Sequence, residues 1–209
     1  MKQIINKKTI FLSLVILLII AGSIILCVTG FNKSIEYKAG KRIEIYIPQG
    51  YEKQDIIKIV EDSFNKKDFL FEEVEKLNQI ASIKLEEYAE EELENFKKQI
   101  AKKYEIAEEK LELYEIEVPE TKINTLVEPY VLPVVLTTLV SLIYMLFRNL
   151  KSEQKWKNIL KILLTVIFAV LTYFSLILIF RLPFGVFTMP VALAIYMISL
   201  IISVNKNNK

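Results

Sequence analysis

The run IFLSLVILLIIAGSIILCV, residues 10–28, and three later ones decide the fold: VEPYVLPVVLTTLVSLIYMLF at 127–147, ILKILLTVIFAVLTYFSLILIF at 159–180 and GVFTMPVALAIYMISLIISV at 185–204. Each has the ~20 mostly apolar residues that cross the hydrocarbon core of a bilayer. No Asp, Glu, Lys or Arg stands in the middle of any of them, so none carries the penalty of a charge at the bilayer centre. Their placement is uneven. Between the first and second lies a polar stretch of about a hundred residues, enough for a folded domain. The expected architecture is an α+β membrane protein with four transmembrane helices, one plus three, and a domain on one side.

The basic start MKQIINKK would suit a cleaved signal peptide. A signal's apolar region is only ~7–15 residues and ends on a small-x-small site. This run is longer and ends Ile25-Leu26-Cys27-Val28-Thr29-Gly30, so a retained anchor is expected. Ile24-Ile25-Leu26 before Cys27 also lacks the small residues of a lipoprotein site.

Charge orients the chain. Residues 31–128 hold 16 Lys+Arg against 24 Asp+Glu, a net of −8. The N-terminal tail has Lys2, Lys7 and Lys8; the loop between the second and third runs has Arg148, Lys151, Lys155, Lys157 and Lys161 against Glu153. Lys206 and Lys209 close the chain, and Arg181 is the charge between the last two runs. Basic flanks stay on the cytoplasmic side. The alternation therefore predicts a cytoplasmic tail at 1–9, a helix at 10–29, an extracytoplasmic domain at 30–126, a three-helix bundle at 127–204 and a cytoplasmic tail at 205–209. The Lys/Ile/Asn/Glu-rich usage suggests a bacterium, and hence its inner membrane.

Composition also excludes. The chain has no His and one Cys. A Ser-His-Asp triad is ruled out, as are an intrachain disulfide and a cysteine metal pair. There is no G-x-S-x-G, H-E-x-x-H or P-loop. No catalytic, cofactor or metal residue is expected. The acidic domain argues against nucleic acid, which demands a basic surface. Cys27 reads as a small lipid-facing residue, and Lys161 as a side chain snorkelling to the interface.

Within the domain, Ile35-Glu36-Tyr37 and the alternating Arg42–Ile47 read as a hairpin around Lys38-Ala39-Gly40, with Gly40 where positive φ is tolerated. Glu52–Asn65 carries Ile56, Ile59, Val60 and Phe64 at helical spacing. Phe69–Lys76 and Ile80–Glu86 read as strands around a turn at 77–79. Tyr88–Tyr104 is a helix with Leu93, Phe96, Ile100 and Tyr104 as its stripe, and Leu111–Val118 a last strand. The order is the ferredoxin-like βαββαβ arrangement, an antiparallel sheet with both helices on one face. The other face is expected to be solvated or open to a partner. The acidic run Glu86–Glu92 could be a calcium or docking patch. Its plainer reading is a helix start, where acidic residues are favoured, and it lacks the calcium-loop pattern.

One helix, a βαββαβ domain and a helical bundle resemble the SecF branch of the SecD/SecF protein-export family. That family opens its outer domain with a motif like G-I-D-F-x-G-G; here the chain reads Ser34-Ile35-Glu36-Tyr37-Lys38-Ala39-Gly40, which keeps Glu36, Tyr37 and Gly40. Ile143-Tyr144-Met145-Leu146-Phe147-Arg148 looks like the family's aliphatic-Tyr-x-x-x-Arg, through Tyr144 and Arg148. Arg181-Leu182-Pro183-Phe184 looks like its R-[IL]-P element, through Arg181 and Pro183. The resemblance implies an export accessory, a SecD-like subunit or translocase channel as partner, and contact with unfolded exported chains. There are departures. The family has six helices, a G-Y-S-x-N-D-T-like stretch in the fourth and an Asp in the third; Ala194–Leu200 and Ile162–Phe180 carry no acid. A proton-driven machine needs a titrating group in its low-dielectric path, so the architecture is expected without its own proton coupling.

Pro129 and Pro133 read as an elbow at the start of the second helix and as hinge candidates, or as a plain first turn. Pro190 is expected to kink the fourth helix near Phe187, and Gly185 to allow close helix approach. Arg181 could anchor headgroups or pair with Glu128 or acids of the domain. Trp156 fits an interfacial segment. The rival functions are a membrane-tethered sensor or scaffold whose domain binds another protein, and a transporter-like remnant.

Overall fold

The structure, a computed structural model, describes residues 7–65, 68–73, 79–148 and 154–206. The first six residues of the basic tail, residues 77 and 78 of the expected turn, Lys151, Glu153, Lys209 and the side chain of Arg148 lie outside that description. In chain order the elements are α1 (Lys7–Thr29), β1 (Gly40–Tyr46), α2 (Lys53–Ser63), β2 (Phe69–Glu73), β3 (Ile80–Leu85), α3 (Glu90–Lys103), β4 (Leu113–Val118), α4 (Ile123–Arg148), α5 (Lys155–Ile179) and α6 (Thr188–Lys206). They form two compact units, Lys33–Lys122 and Met1–Asn32 with Ile123–Lys209.

In the first unit the sheet order is β2-β3-β1-β4, all neighbours antiparallel. This is the order of the βαββαβ arrangement. Ile43 faces Ile83, and Ile45 faces Ala81 and Leu113, so one sheet face is apolar. Ile56, Val60, Phe64, Phe96 and Ile100 of the α2 and α3 region close over it, each wholly buried. Burying such a side chain stabilises by roughly 1.5–3 kcal/mol each. Both amphipathic patterns are therefore real core stripes. Phe64 and Phe96 stack at 5.4 Å between ring centres.

Ile35–Tyr37 is a turn, not a strand. The amides of Tyr37 and Lys38 both donate to the Ser34 carbonyl, which closes the chain on itself before it can pair. Gly40 does not occupy the left-handed region; the glycines that do are Gly30 and Gly50. What Gly40 supplies is room. A Cβ there would lie 2.2 Å from the Leu85 carbonyl oxygen.

Among its described residues the second unit holds four helices long and apolar enough to cross a membrane. α1 and α5 run side by side in the same direction. Gly22 lies against Ser175, where a Cβ would come within 2.6 Å, and Thr29 meets Arg181 farther on. α6 turns back along α5 and also packs on α4, through a cluster of Met145, Ile159, Ile162, Val166, Tyr196 and Leu200.

α4 begins at Ile123, earlier than its apolar run, so Pro129 and Pro133 are interior residues rather than a first turn. Each lacks the N–H that would reach four residues back, leaving the carbonyls of Thr125 and Pro129 without their helical donors. Pro190 shows the reverse. α6 starts at Thr188, so Pro190 sits in a first turn whose amides need no helical partner. The chain ahead of it is helically bonded, Val191 N to the Phe187 carbonyl at 3.0 Å. No kink is required there. Gly185 precedes the helix, its amide donating to Thr188 Oγ1 at 3.0 Å.

Candidate functional site

The residues singled out in the sequence fall into three places. The first is the turn at Ser34–Lys38, within the domain. The sheet face away from the helices carries Arg42, Glu44 and Tyr46 on β1, and register sets Lys84 and Ile116 beside Arg42. The Ser34–Lys38 turn is tied to this face: Lys84 Nζ donates to the Glu36 carbonyl at 2.9 Å. Lys84 is only 2% exposed. Burial, then the Arg42 guanidinium, pushes its ammonium pKa down. Arg42 in turn reaches Glu72 at 2.9 Å.

Glu36 thus acts mainly through its backbone. Its carboxylate accepts from Ser34 Oγ at 3.2 Å, and Tyr37 lends its carbonyl to the Thr121 amide at 3.0 Å. Lys33 closes the same knot on Glu120 and the Thr121 carbonyl, both at 2.8 Å. Lys38 pairs with Glu86. Glu36, Tyr37 and Gly40 therefore meet at one end of the sheet. Lys84, which holds them there, had no sequence signal beyond lying on the polar side of an alternating strand. The β4 edge of this face is open: Tyr114 and Ile116 are 58% and 44% exposed.

The second place is Arg181–Phe184. Leu182 N bonds the Ile177 carbonyl and Arg181 N the Leu178 carbonyl, which is the Schellman pattern of a helix end. It needs a left-handed residue, usually Gly; here Arg181 takes it, with φ 52. That backbone choice costs about 1–2 kcal/mol. Two bonds offset it: Arg181 Nη1 donates to Thr29 Oγ1 at 2.7 Å, and its carbonyl accepts from Asn32 Nδ2 at 3.1 Å. Pro183 then prevents the helix from continuing. Phe184 donates its amide to the Asn32 carbonyl and buries its ring against Phe31 at 5.1 Å. The R-L-P-F stretch is a clasp on the end of α1.

The third place is the α4–α6 seam. Tyr196 OH lies 2.6 Å from Thr138 Oγ1 and 3.3 Å from the Val134 carbonyl. A cavity of about 110 Å³ adjoins it, between Tyr130, Val134, Phe174 and Met189. The polar groups here are hydroxyls and carbonyls, and no Asp, Glu, Lys or Arg is among the residues that line the cavity. Tyr144 lies on the exposed side of α4, away from the seam.

The acidic run proves to be a helix start. Glu92 Oε2 accepts from the Ala89 amide at 2.9 Å, and Glu92 Oε1 from Asn65 Nδ2 at 3.0 Å. Among the described residues no group of three His, Cys, Asp or Glu could hold a metal ion.

No protein-family model and no curated protein matches the chain. Among solved structures it is similar to SecDF, crystallised in its super-membrane-facing form, with a TM-score of 0.56 and 18% identity over 87% of this chain. The chain spans 24% of that protein's length. At this identity the likeness is one of fold.

Proposed function

We propose that the chain is an accessory component of protein export, resembling SecF, in the inner membrane of a bacterium. One observation carries the reading: the fold likeness to SecDF takes in 87% of the chain, more than either compact unit alone could supply. In this reading both termini are cytoplasmic and the Lys33–Lys122 unit is extracytoplasmic, as the basic loops direct. The domain braces an emerging unfolded chain, or a partner's outer domain, with Tyr46, Tyr114 and Ile116 as contact surface. The helices dock in the bilayer against a SecD-like subunit or the translocase channel. Pro129 and Pro133 soften α4 where the domain would swing.

In this reading the chain has no proton coupling of its own: Ile162–Phe180 and Ala194–Leu200 carry no acid. A photocrosslinker at Tyr114 or Ile116 in living cells tests the proposal. The expected products are a SecD-like protein, a channel subunit or exported precursors. Products confined to an unrelated regulator would instead support a membrane-tethered sensor or scaffold.

A further inference from the structure

α1 and α5 touch closely at Gly22 and Ser175. Toward their N-terminal ends they part. There they leave a cleft of about 840 Å³, with Phe11, Leu12 and Val15 on one wall and Leu160, Leu164 and Phe168 on the other. Its hydroxyls are spent: Thr165 Oγ1 donates to the Lys161 carbonyl at 2.8 Å and Thr172 Oγ1 to the Phe168 carbonyl at 2.7 Å. What remains is an apolar slot open at its side. Its mouth is different. Lys157 and Lys161, one helical turn apart and both exposed, stand at the end away from Ser175. Trp156 beside them is 65% exposed, an interfacial aromatic by type and place.

We propose that this cleft is a site for an anionic phospholipid, its phosphate on Lys157 and Lys161 and one acyl chain in the slot. Charge and length both argue for it. Cations at the mouth of an apolar slot match a molecule with an anionic head and an apolar tail. The slot runs from Lys157 to Thr172, about 22 Å at the helical rise. That covers the ~15 Å of hydrocarbon in one leaflet plus part of the headgroup layer. A partner's spanning helix would need the full ~30 Å, and the Gly22–Ser175 contact ends the slot before that.

Trp156 is the chain's single tryptophan and stands next to Lys157 and one helical turn ahead of Leu160, both of which line the cleft, so its fluorescence reports on lipid at this end of α5. The test is quenching of its fluorescence in the full-length protein, in vesicles that mix phosphatidylglycerol and phosphatidylcholine, with the bromines on one lipid or the other. The expected result is that brominated phosphatidylglycerol is favoured over its mole fraction by about fivefold for each lysine that engages the phosphate, and by about thirtyfold when both do. K157Q/K161Q brings the preference to about one. Ala169→Phe, which fills the slot and spares the lysines, reduces it at least by half. Circular dichroism shows whether each variant keeps its helices, and one that does not is replaced by Lys161→Gln alone or Ala169→Leu. Quenching that follows mole fraction in the native chain overturns the proposal. So does a preference that survives the lysine change or the filled slot, since bulk surface charge would then explain it. A photocrosslinker at Ala169 that captures a second copy of the chain in place of lipid overturns it as well.

Discussion

The domain and the helical unit treat apolar side chains in opposite ways. In the domain, Ile43, Ile45, Ile83, Phe64 and Phe96 are wholly buried. In the helical unit, α1 and α4 each bury 6% of their spanning windows, and α5 and α6 28%. Water drives the first arrangement, and area removed from water holds it. Lipid is as apolar as leucine, so burial between helices contributes little in a bilayer; small residues and interhelical hydrogen bonds decide which helices associate. Matched substitutions should therefore have unequal effects. Phe96→Ala is expected to destabilise the domain by about 3–5 kcal/mol, read as an early unfolding transition in denaturant. Ile143→Ala, on the exposed side of α4, is expected to change stability by less than about 0.5 kcal/mol. Equal losses would break the contrast.

Glycine sharpens it. Gly40 and Gly22 are both sites of close approach, one to a backbone carbonyl and one to a small side chain. Gly40→Ala must push β1 away from Leu85, and overpacking of this kind costs about 1–3 kcal/mol. The loss should appear as a lower domain melting temperature. Gly22→Leu should leave the domain's melting unchanged and separate α1 from α5, measured by spin-label distances between the two helices. A domain that melts earlier in Gly22→Leu would mean the two units do not fold independently.

Length and apolarity made the four spans legible, because twenty apolar residues admit few other fates. Period-two and period-3.6 patterns made the domain's core legible for the same kind of reason: Ile43, Ile45, Ala81 and Ile83 had to share a face. The ends were harder. Glu36 and Tyr37 sit in a turn because Ser34 offers its carbonyl to two amides at once, a local bond that a two-residue alternation does not reveal. α4 extends back to Ile123 although Asn124 and Thr125 are weak helix formers outside the apolar run, so neither propensity nor hydrophobicity marks where it begins. Lys84 was invisible as a positioning residue, since a lysine on a strand's polar side is usually solvated. The Arg181 clasp was half legible. Its proline announced a helix stop, but no pattern announces that an arginine will take a glycine's backbone conformation.

Alkaline pH separates the units further, because it acts on the domain through Tyr51, Tyr88, Tyr104 and Lys84. Burial first, and then its 2.6 Å hydrogen bond to Glu115, raise the phenol pKa of Tyr88 above its ordinary 10.0. Burial likewise raises Tyr51 and Tyr104. For these groups the folded value lies above the unfolded one. Their contribution is whole below pH 10 and is lost as pH rises through the folded values. Lys84 works the other way. Its folded value is lowered, so its penalty is lifted as pH climbs toward 10.5. Lys103, raised by its hydrogen bond to Asp55, acts in the same sense as the three phenols, and together they outweigh Lys84, so the domain's melting temperature falls above pH 10. Tyr88→Phe should flatten that fall, and Lys84→Met should steepen it. A fall of the same slope in all three proteins would refute the assignment.

The smallest loss expected from removing a native hydrogen bond lies in the membrane, at the α4–α6 seam. Tyr196 OH meets Thr138 Oγ1 and the Val134 carbonyl just beyond Pro133. Thr138 also returns a bond to that carbonyl at 2.7 Å. Thr138→Val keeps the shape and removes the hydroxyl, yet Tyr196 retains the Val134 carbonyl as acceptor. Interhelical hydrogen bonds of this kind are worth about 0.6 kcal/mol on average. The expected change in helix-bundle unfolding is thus near that size. Tyr196→Phe should cost somewhat more, because it removes both contacts. A double variant should lose no more than Tyr196→Phe alone if the two hydroxyls act as one unit. Fully additive losses would mean that each hydroxyl has a separate partner, and that the seam is wetter than its apolar lining suggests.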